Sequence, residues 1–515
     1  IEATAGNTGV GLALVAAASA PWRATWAALV SAALACGPTS AVEPAACDAV
    51  WRPYDGARDG DYATYAASLD RARCPKPWTV LIYMAADIED LPPRALADLR
   101  EMEDAQLRGA APAASSAQAD VIVQLDLPGP PGLRRYHLFS RTDPAQLAAD
   151  EPGSPQLELA PEPDDAPPEA ALAEFLAWGR ARYPSERLMV VLWGHGQGWR
   201  PRDAGPEPVR YHEGGFVGGF GFDHSQGTVI DVPALADALR RGTGGAPIDV
   251  LVADACLMQT VDVAGALAGV ARQLVGDEQI DPYDGLPYDR LIPLVNGEQP
   301  PRRHPECADE DAGCQVAASV PALLAAPDAG DTFVVSTVSA EALAEQLLPA
   351  LADLSTALVA FLAEDPLRAA DLQARMSSRT AGEGLPGFAG NTIDLGVLLT
   401  RLRQEAEEEG LRCAPPCLPA GADGLGPACA PPCPGVTGLL AAIDHTEQTL
   451  DATVISVAAG PAYRDDEAYA WTSGPAGISV WLPPRADVLA ARRAGFASSP
   501  ASGWLPWLDR LHAAP

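Results

Sequence analysis

Residues 247–258 read Pro-Ile-Asp-Val-Leu-Val-Ala-Asp-Ala-Cys-Leu-Met and decide the fold. The apolar, β-branched run 249–253 predicts a buried strand, and residues 258–270 have the spacing of a helix. Cys256 therefore follows the carboxyl end of a strand, where α/β sheets present side chains to ligands. A helix that begins just beyond it would lower the pKa of the thiol. We therefore expect Cys256 to be a nucleophile.

A second stretch has the same form. Residues 187–199 read Arg-Leu-Met-Val-Val-Leu-Trp-Gly-His-Gly-Gln-Gly-Trp, again a buried-strand run, followed here by glycines on both sides of His195. These glycines let substrate or backbone approach closely. A His upstream of a Cys, each closing a parallel strand, is the arrangement of caspase-like peptidases. The two stretches therefore predict a catalytic dyad of His195 and Cys256.

The two stretches resemble the clostripain family of cysteine peptidases. The closest motifs are Trp-Gly-His-Gly-Gln-Gly-Trp (193–199), Asp-Ala-Cys-Leu-Met (254–258) and Leu-Val-Gly-Asp-Glu (274–278). Further matching segments are 78–87, 121–126, 219–223, 285–288, 477–483 and 504–508. The resemblance covers most of the chain from about residue 76. It implies a caspase-like α/β fold: a mainly parallel sheet with helices on both faces, and an additional C-terminal α/β half that packs against it.

The resemblance also implies a role for each site residue. The thiolate of Cys256 would attack the scissile carbonyl, and His195 would protonate the leaving amine. The backbone N–H groups of Gly196 and Cys256 would hold the oxyanion. Members of the family are commonly cut between the catalytic His and Cys. In this chain the corresponding segment contains Arg202 and Arg210 as candidate bonds for self-cleavage.

Substrate preference is predicted from the acidic residues near Cys256. In the resembling family, an acid at the position of Asp254 lies at the base of the pocket for the residue before the cleaved bond. A buried carboxylate there would select Arg or Lys by a charge-assisted contact. Asp284 is a second candidate for this pocket, in competition with Asp281. The alternative for Asp254 is a carboxylate that caps a neighbouring loop.

The amino-acid composition of the chain limits the classes of molecule that it can bind. The chain has 515 residues with 35 basic and 68 acidic side chains, a net charge of −33. This charge argues against binding of nucleic acid or an anionic membrane through a basic surface. Protein or peptide substrates are the predicted partners, and the sequence does not indicate an oligomeric state. The main alternative function is a non-catalytic surface binding protein that keeps the fold; another is a peptidase that prefers Asp or Asn.

The pattern along the chain predicts its organisation. Residues 1–36 are interpreted as a leader, 37–75 as a low-complexity linker with little structure, 76–300 as the catalytic domain and 301–515 as the C-terminal part of the same peptidase unit. Short strands that alternate with helices predict a mainly parallel sheet. In the C-terminal part we expect helices at 340–362 and 391–405 and a strand at 450–457.

The N-terminal segment has the pattern of a secretory signal. Arg23 precedes twelve small and apolar residues, 24–35, which are too few to span a bilayer as a helix. Cys36 follows them and resembles the lipid acceptor of bacterial lipoproteins. We therefore expect an extracytoplasmic protein, either secreted or anchored to the cell envelope through Cys36.

The remaining cysteines predict disulfides. Ten cysteines are present, and eight are left after Cys36 and Cys256. An even remainder in loops is typical of an oxidising compartment. In the Cys-rich loop 413–433 the two Cys-x3-Cys pairs leave a four-thiolate zinc site as the alternative. No other metal or cofactor is predicted from the residues, although the resemblance leaves calcium open without any EF-hand spacing.

Overall fold

A nine-stranded sheet lies at the centre of the computed structural model. The structure describes residues 44–88, 90–104, 114–129, 133–141, 153–160, 167–199, 218–282, 285–298, 301–324, 333–364, 368, 372, 392–413, 433–464, 474–482 and 504–512. The chain divides into two units, Ile1–Ala49 and Val50–Pro515, and the sheet belongs to the second.

The strands are β1 (Lys76–Ala85), β2 (Ala119–Asp126), β3 (Leu133–His137), β4 (Gln156–Ala160), β5 (Ser185–Gly194), β6 (Phe220–Asp223), β7 (Thr228–Ile230), β8 (Ile248–Asp254), β9 (Ala271–Asp277), β10 (Val334–Ser339), β11 (Thr392–Asp394), β12 (Val454–Ala459) and β13 (Ser479–Trp481). The large sheet has the order β12-β10-β9-β8-β5-β1-β2-β3-β4, and β6–β7 and β11–β13 form two small pairs.

The middle of the large sheet is parallel. Strands β9, β8, β5, β1 and β2 pair in parallel, and antiparallel strands complete both edges. β1 and β2 are buried along almost their whole length, as expected for parallel strands covered on both faces. The predicted α/β architecture is therefore confirmed. Because β10 and β12 extend the sheet, residues beyond 300 belong to the same sheet as the predicted catalytic domain.

The helices are α1 (Pro44–Trp51), α2 (Gly56–Asp59), α3 (Tyr62–Ala67), α4 (Pro92–Glu103), α5 (Glu169–Arg182), α6 (Val232–Gly242), α7 (Val261–Leu267), α8 (Tyr288–Val295), α9 (Ala312–Leu324), α10 (Ala340–Glu364, with a π turn at Leu343–Leu347), α11 (Leu395–Cys413), α12 (Pro434–Thr453), α13 (Pro461–Arg464) and α14 (Leu505–His512).

Helices cover both faces of the sheet because alternate strand residues point to opposite sides. In β1, Leu81 and Tyr83 join the core that α5, α6, α10, α11 and α12 cover. Val80 and Ile82, in contrast, join the core under α4, α8 and α9. Helix α10 is long and apolar enough to cross a membrane by length and composition. Leu351 and other apolar residues of α10 lie in the first of these cores, so we interpret α10 as a core helix.

Two predicted elements of the C-terminal part have different bounds. The helix expected at 391–405 begins at Leu395 after strand β11 and continues to Cys413. The strand expected to begin at residue 450 begins at Val454, because α12 extends through Thr453. Leu450 continues the buried stripe of α12 that includes Val436, Leu439 and Ile443, and helical periodicity therefore explains it better than a strand does.

The segment predicted to be a linker with little structure contains helices α1, α2 and α3. Its tyrosines explain the difference, because Tyr54 and Tyr62 pack with Phe139 in an aromatic cluster. The Tyr62 hydroxyl lies 2.6 Å from Nδ1 of His137, whose Nε2 is 3.0 Å from Oδ1 of Asp120. Burial lowers the pKa of His137 to about 4. The residues before β1 are thus held on the sheet by a buried polar and aromatic cluster.

Disulfides are present among the described cysteines. Cys307 and Cys314 are bonded, with 5.6 Å between their Cα atoms, and Cys47, Cys74 and Cys433 are also disulfide-bonded. The bonded state of Cys433 agrees with the disulfide interpretation of the Cys-rich loop rather than with the zinc alternative. The other residues of that loop, 414–432, lie outside the described residues.

Candidate active site

His195 and Cys256, the residues predicted to form a dyad, follow neighbouring strands at one edge of the sheet. Trp193 on β5 is in register with Asp254 on β8, so both strands end at the same level. His195 follows β5 directly, and Cys256 lies two residues beyond β8. Both side chains line one pocket, with Asp254 in its wall. The structure therefore brings together the residues that the sequence predicted to form the dyad.

Close backbone contacts fix the loop that carries His195. The carbonyl oxygen of His195 accepts a hydrogen bond from the N–H of Gly221 at 3.3 Å, and the N–H of Gln197 donates to Gly219 at 3.0 Å. A Cβ atom on Gly196 would clash with the carbonyl oxygen of Cys256. Only glycine lets the two loops pass this closely, which explains the glycine next to the histidine.

The backbone turns sharply after the cysteine. Leu257 has a φ of 62°, and no other non-glycine residue of the described ranges lies in the left-handed region. Its N–H donates to the carbonyl of Gln279 at 2.8 Å, which holds the turn in place. A strained conformation of this kind often occurs next to a reactive group.

The prediction that a helix end lowers the pKa of Cys256 is wrong. Helix α7 begins at Val261, five residues later, and Thr260 caps it. Burial raises the pKa of the Cys256 thiol to about 12, and Asp281 and other nearby carboxylates act in the same direction, against a backbone hydrogen bond from Asp281. The thiol is therefore protonated at neutral pH, and its nucleophilic form requires a base that takes the proton.

His195 has a partner that the sequence did not reveal. Its Nε2 lies 3.1 Å from Oδ1 of Asp90, in the loop between β1 and α4. Both side chains are partly exposed, with 38% of His195 and 59% of Asp90 accessible. Burial raises the pKa of the Asp90 carboxyl, but the hydrogen bond to His195 and the charge of that histidine outweigh burial, so the net pKa is lowered.

Asp254 is buried beneath the dyad. Its Oδ2 accepts a hydrogen bond from the Tyr288 hydroxyl at 2.7 Å, and its Oδ1 accepts one from the Leu286 N–H at 3.3 Å. Burial raises its pKa to about 6 in spite of these hydrogen bonds. Gly285, with a φ of 65°, brings the backbone close to this carboxylate. Asp254 therefore both lines the pocket and holds the loop that closes it.

Asp281 lines the pocket, whereas Asp284 lies outside the described residues, so its predicted role stays a prediction. Burial raises the pKa of Asp281 well above its usual value, and Asp277 and Asp254 add to this effect. Burial also raises the pKa of Asp277, to about 6, and Oδ1 of Asp277 accepts hydrogen bonds from the N–H groups of Gln279 and Val334.

Helix α4 contributes two further charged residues to the pocket. Asp98 and Arg94 line it together with Asp90, and the indole N–H of Trp193 donates to Oδ2 of Asp98 at 2.7 Å. The sequence contained a signal for part of this group, since residues 94 and 98 share one face of α4 at four-residue spacing, whereas Asp90 lies in the loop before that helix. The pocket wall thus carries four carboxylates, Asp90, Asp98, Asp254 and Asp281, and one guanidinium.

The described residues leave the predictions of a metal site and of self-cleavage as predictions. Within the described ranges, no group of three His, Cys, Asp or Glu side chains is placed to hold a metal ion. A requirement for calcium stays a prediction. Residues 200–217, with Arg202 and Arg210, lie outside the described residues.

One buried carboxylate near the site predicts a pH dependence of stability. Burial alone raises the pKa of Asp262, in the first turn of α7, to about 7. The folded state therefore binds this proton more tightly than the unfolded state, and the stability that it contributes is lost as the pH rises through about 7. We expect Asp262→Asn to raise the free energy of unfolding at pH 8 by on the order of 2 kcal/mol and to change it less at pH 5.

Thermal melts at pH 5 and pH 8 measure this effect. Asp237→Asn is the matched control, because Asp237 is 56% exposed and paired with Arg241. Equal shifts of Asp262→Asn at both pH values would contradict the prediction.

The architecture is a caspase-like α/β fold with a Cys–His pair at the carboxyl edge of its parallel strands. Residues 82–304 match the model of the clostripain family, which identifies this part of the chain as clostripain-like. A search of curated proteins finds no match.

Among solved structures, a secreted C11 cysteine protease from Bacteroides thetaiotaomicron in complex with an irreversible peptide inhibitor is 18% identical, with a TM-score of 0.50 over 84% of this chain and 98% of that one. A structure of a secreted C11 cysteine protease named iotapain, from the same organism, is 14% identical, with a TM-score of 0.50 over 83% of this chain and 99% of that one. At these identities the likeness shows the fold.

Proposed function

We propose that this protein is a cysteine endopeptidase that cleaves after Arg or Lys. The observation that carries the proposal is one acidic pocket lined by His195, Cys256 and the buried Asp254. A nucleophile, a base and a specificity group at the ends of adjacent strands are what peptide hydrolysis in an α/β fold requires. The clostripain match over residues 82–304 supports the same reaction.

In the proposed mechanism His195 takes the proton of the Cys256 thiol as the sulfur attacks the scissile carbonyl carbon. The backbone N–H groups of Gly196 and Cys256 would donate hydrogen bonds to the developing oxyanion. The carbon–nitrogen bond then breaks, and the imidazolium gives its proton to the leaving amine. Water attacks the thioester, His195 takes a proton from that water, and a carboxylic acid leaves as the thiol re-forms.

The charge of the pocket supports the preference for a basic residue. Burial raises the pKa of Asp254 to about 6, against the hydrogen bonds from Tyr288 and Leu286, so its carboxylate is mostly ionised above that pH. A guanidinium or ammonium group that enters the pocket would pair with this buried charge. An acidic substrate side chain would meet the carboxylates of Asp90 and Asp254, which argues against a preference for Asp.

A panel of fluorogenic peptides that differ only in their last residue tests the proposal. We expect hydrolysis after Arg and Lys, and slow hydrolysis after Asn or Asp. The second candidate function is a non-catalytic binding protein with the peptidase fold. The raised pKa of the Cys256 thiol favours that candidate, because a protonated thiol is a poor nucleophile. Failure of every peptide in the panel would favour it.

Self-cleavage after Arg210 is a further expected result. The segment between His195 and Cys256 contains bonds after Arg200, Arg202 and Arg210, and Pro201 makes the first a poor substrate. Arg210 is the better of the other two, because Tyr211 and His212 follow it in a Gly- and Pro-rich stretch that tolerates nicking. We expect two fragments that stay associated, since the cut lies between strands of one sheet. N-terminal sequencing should find Tyr211 in wild type and not in Cys256→Ala; a fully active single chain would contradict this.

We propose an extracytoplasmic location for the protein. The disulfide between Cys307 and Cys314 is typical of an oxidising compartment, and the two similar proteases are described as secreted. Attachment to the cell envelope through a lipid on Cys36 is part of the proposal. The same N-terminal analysis tests it, because a mature protein that starts elsewhere would rule out the anchor.

A further inference from the structure

The partner of His195 in the β1–α4 loop is the feature that the proposed mechanism does not yet use. β1 and β5 pair in parallel with Ala85 opposite Gly194, so the residues that follow both strands leave the sheet at the same level. This register brings Asp90 to His195, with 3.1 Å between Oδ1 and Nε2. We propose that Asp90 is a positioning residue that orients His195 and stabilises its protonated form, an inference that rests on the proposed peptidase function.

Backbone hydrogen bonds hold described residues before and after Asp90. The N–H of Ala86 donates to Asp126 at 3.1 Å, and the carbonyl of Asp87 accepts from the N–H of His224 at 2.7 Å. On the other side, Leu91 is buried and its N–H donates to Ile88 at 3.1 Å. Asp90 therefore lies between two held positions, Asp87 and Leu91, just before helix α4 begins.

The charges around the pair keep Asp90 in its ionised form. The hydrogen bond to His195, the charge of that histidine and the guanidinium of Arg94 lower the pKa of Asp90 against the effect of burial. Asp98, Asp254 and Asp281 also line the pocket, so the imidazole faces several carboxylates, of which Asp90 is its hydrogen-bond partner. An ionised carboxylate is an acceptor only, and it therefore selects the tautomer with the proton on Nε2.

This tautomer has a chemical consequence. When Nε2–H donates to Asp90, Nδ1 is the nitrogen left to take the proton of the thiol. Because burial raises the pKa of Cys256 to about 12, proton transfer from the thiol needs a base whose protonated form is stabilised. Asp90 supplies a negative charge next to the imidazolium at the moment when it forms. The expected effect is on proton transfer and hence on kcat, not on substrate binding.

Asp90→Asn tests the inference, with Asp90→Glu as the conservative variant. We expect kcat to fall about tenfold in Asp90→Asn, with KM nearly unchanged. This loss is a part of the roughly 10²–10⁴-fold rate enhancement that general acid–base catalysis typically contributes. Asp90→Glu should recover part of the rate. Asp237→Asn, which removes a similarly exposed carboxylate paired with Arg241, should match wild type.

Alkylation of Cys256 gives a readout that does not require a cleavable peptide. Mass spectrometry measures the rate at which iodoacetamide modifies Cys256. This rate reports the fraction of Cys256 that is present as the thiolate. We expect about a tenfold lower rate at pH 7 for Asp90→Asn than for wild type. If wild type cleaves no peptide but alkylation depends on Asp90, the proposed function fails and the inference stands. If Asp90→Asn keeps the alkylation rate and its pH profile, the inference is wrong.

Discussion

Replacement of Cys256 by alanine is expected to abolish peptide cleavage and to leave the melting temperature nearly unchanged. In the proposed mechanism the thiol forms the covalent intermediate, and no neighbouring side chain of the described pocket offers another thiol. When residues act as a catalytic unit, removal of one member costs the enzyme nearly all of its activity. We therefore expect the rate of peptide cleavage to fall at least about a hundredfold. His195→Ala should have an effect of the same size, and the double variant should be no worse than either single one.

Initial rates on the best Arg peptide measure this loss. A thermal melt is the control, since Cys256 is half-buried and a folded variant is needed for the comparison. Activity of Cys256→Ala above about one per cent of wild type would contradict the mechanism.

Asp254→Asn should lower cleavage after Arg or Lys by at least roughly tenfold, because a desolvated charge pair is typically worth more than about 1.4 kcal/mol. Cleavage after a neutral residue should fall less, since the charge of Asp254 is not used there. The preference for Arg over a neutral residue should also decline as the pH falls through about 6, where the carboxyl takes up its proton.

Tyr288→Phe is the matched control for Asp254→Asn. The Tyr288 hydroxyl donates to Oδ2 of Asp254 at 2.7 Å, and this hydrogen bond lowers the pKa of Asp254, so the two variants are compared at pH 8, where Tyr288→Phe removes the contact and leaves the carboxylate ionised. We expect Tyr288→Phe to keep the preference for basic residues. Equal losses of Asp254→Asn on charged and neutral peptides would show that Asp254 only holds the loop that contains Leu286.

The sequence was sufficient to predict the parallel part of the sheet and that His195 and Cys256 lie at the ends of neighbouring strands. Both follow from local patterns: apolar runs that end in Gly-His-Gly and in Asp-Ala-Cys define strand ends, and strand ends of one parallel sheet lie at one edge. The edge strands were predicted less well. Strand β12 was placed too early because Leu450 is apolar and its helical partners, such as Leu439 and Ile443, lie farther back in the chain.

The environment of the thiol could not be predicted from local patterns. Burial raises the pKa of Cys256, and two of the carboxylates that add to it, Asp277 and Asp281, lie 21 and 25 positions later, where the pairing of β8 with β9 brings them near. The contact of Asp90 with His195 likewise depends on the register between β1 and β5. Such effects depend on which strands are neighbours, and spacing along the chain does not determine that order.

The reaction of the protein with a peptidyl-arginine chloromethyl ketone tests the central claim most directly. This reagent places a basic side chain in the pocket and an electrophile at the nucleophile. Peptide mapping by mass spectrometry then identifies the residue that reacts, and the rate of the reaction measures the preference for a basic side chain. We predict one adduct, on Cys256, that forms much faster than with the matching aspartyl reagent and is lost in His195→Ala. An adduct on another residue, or equal rates for the arginyl and aspartyl reagents, would contradict the account.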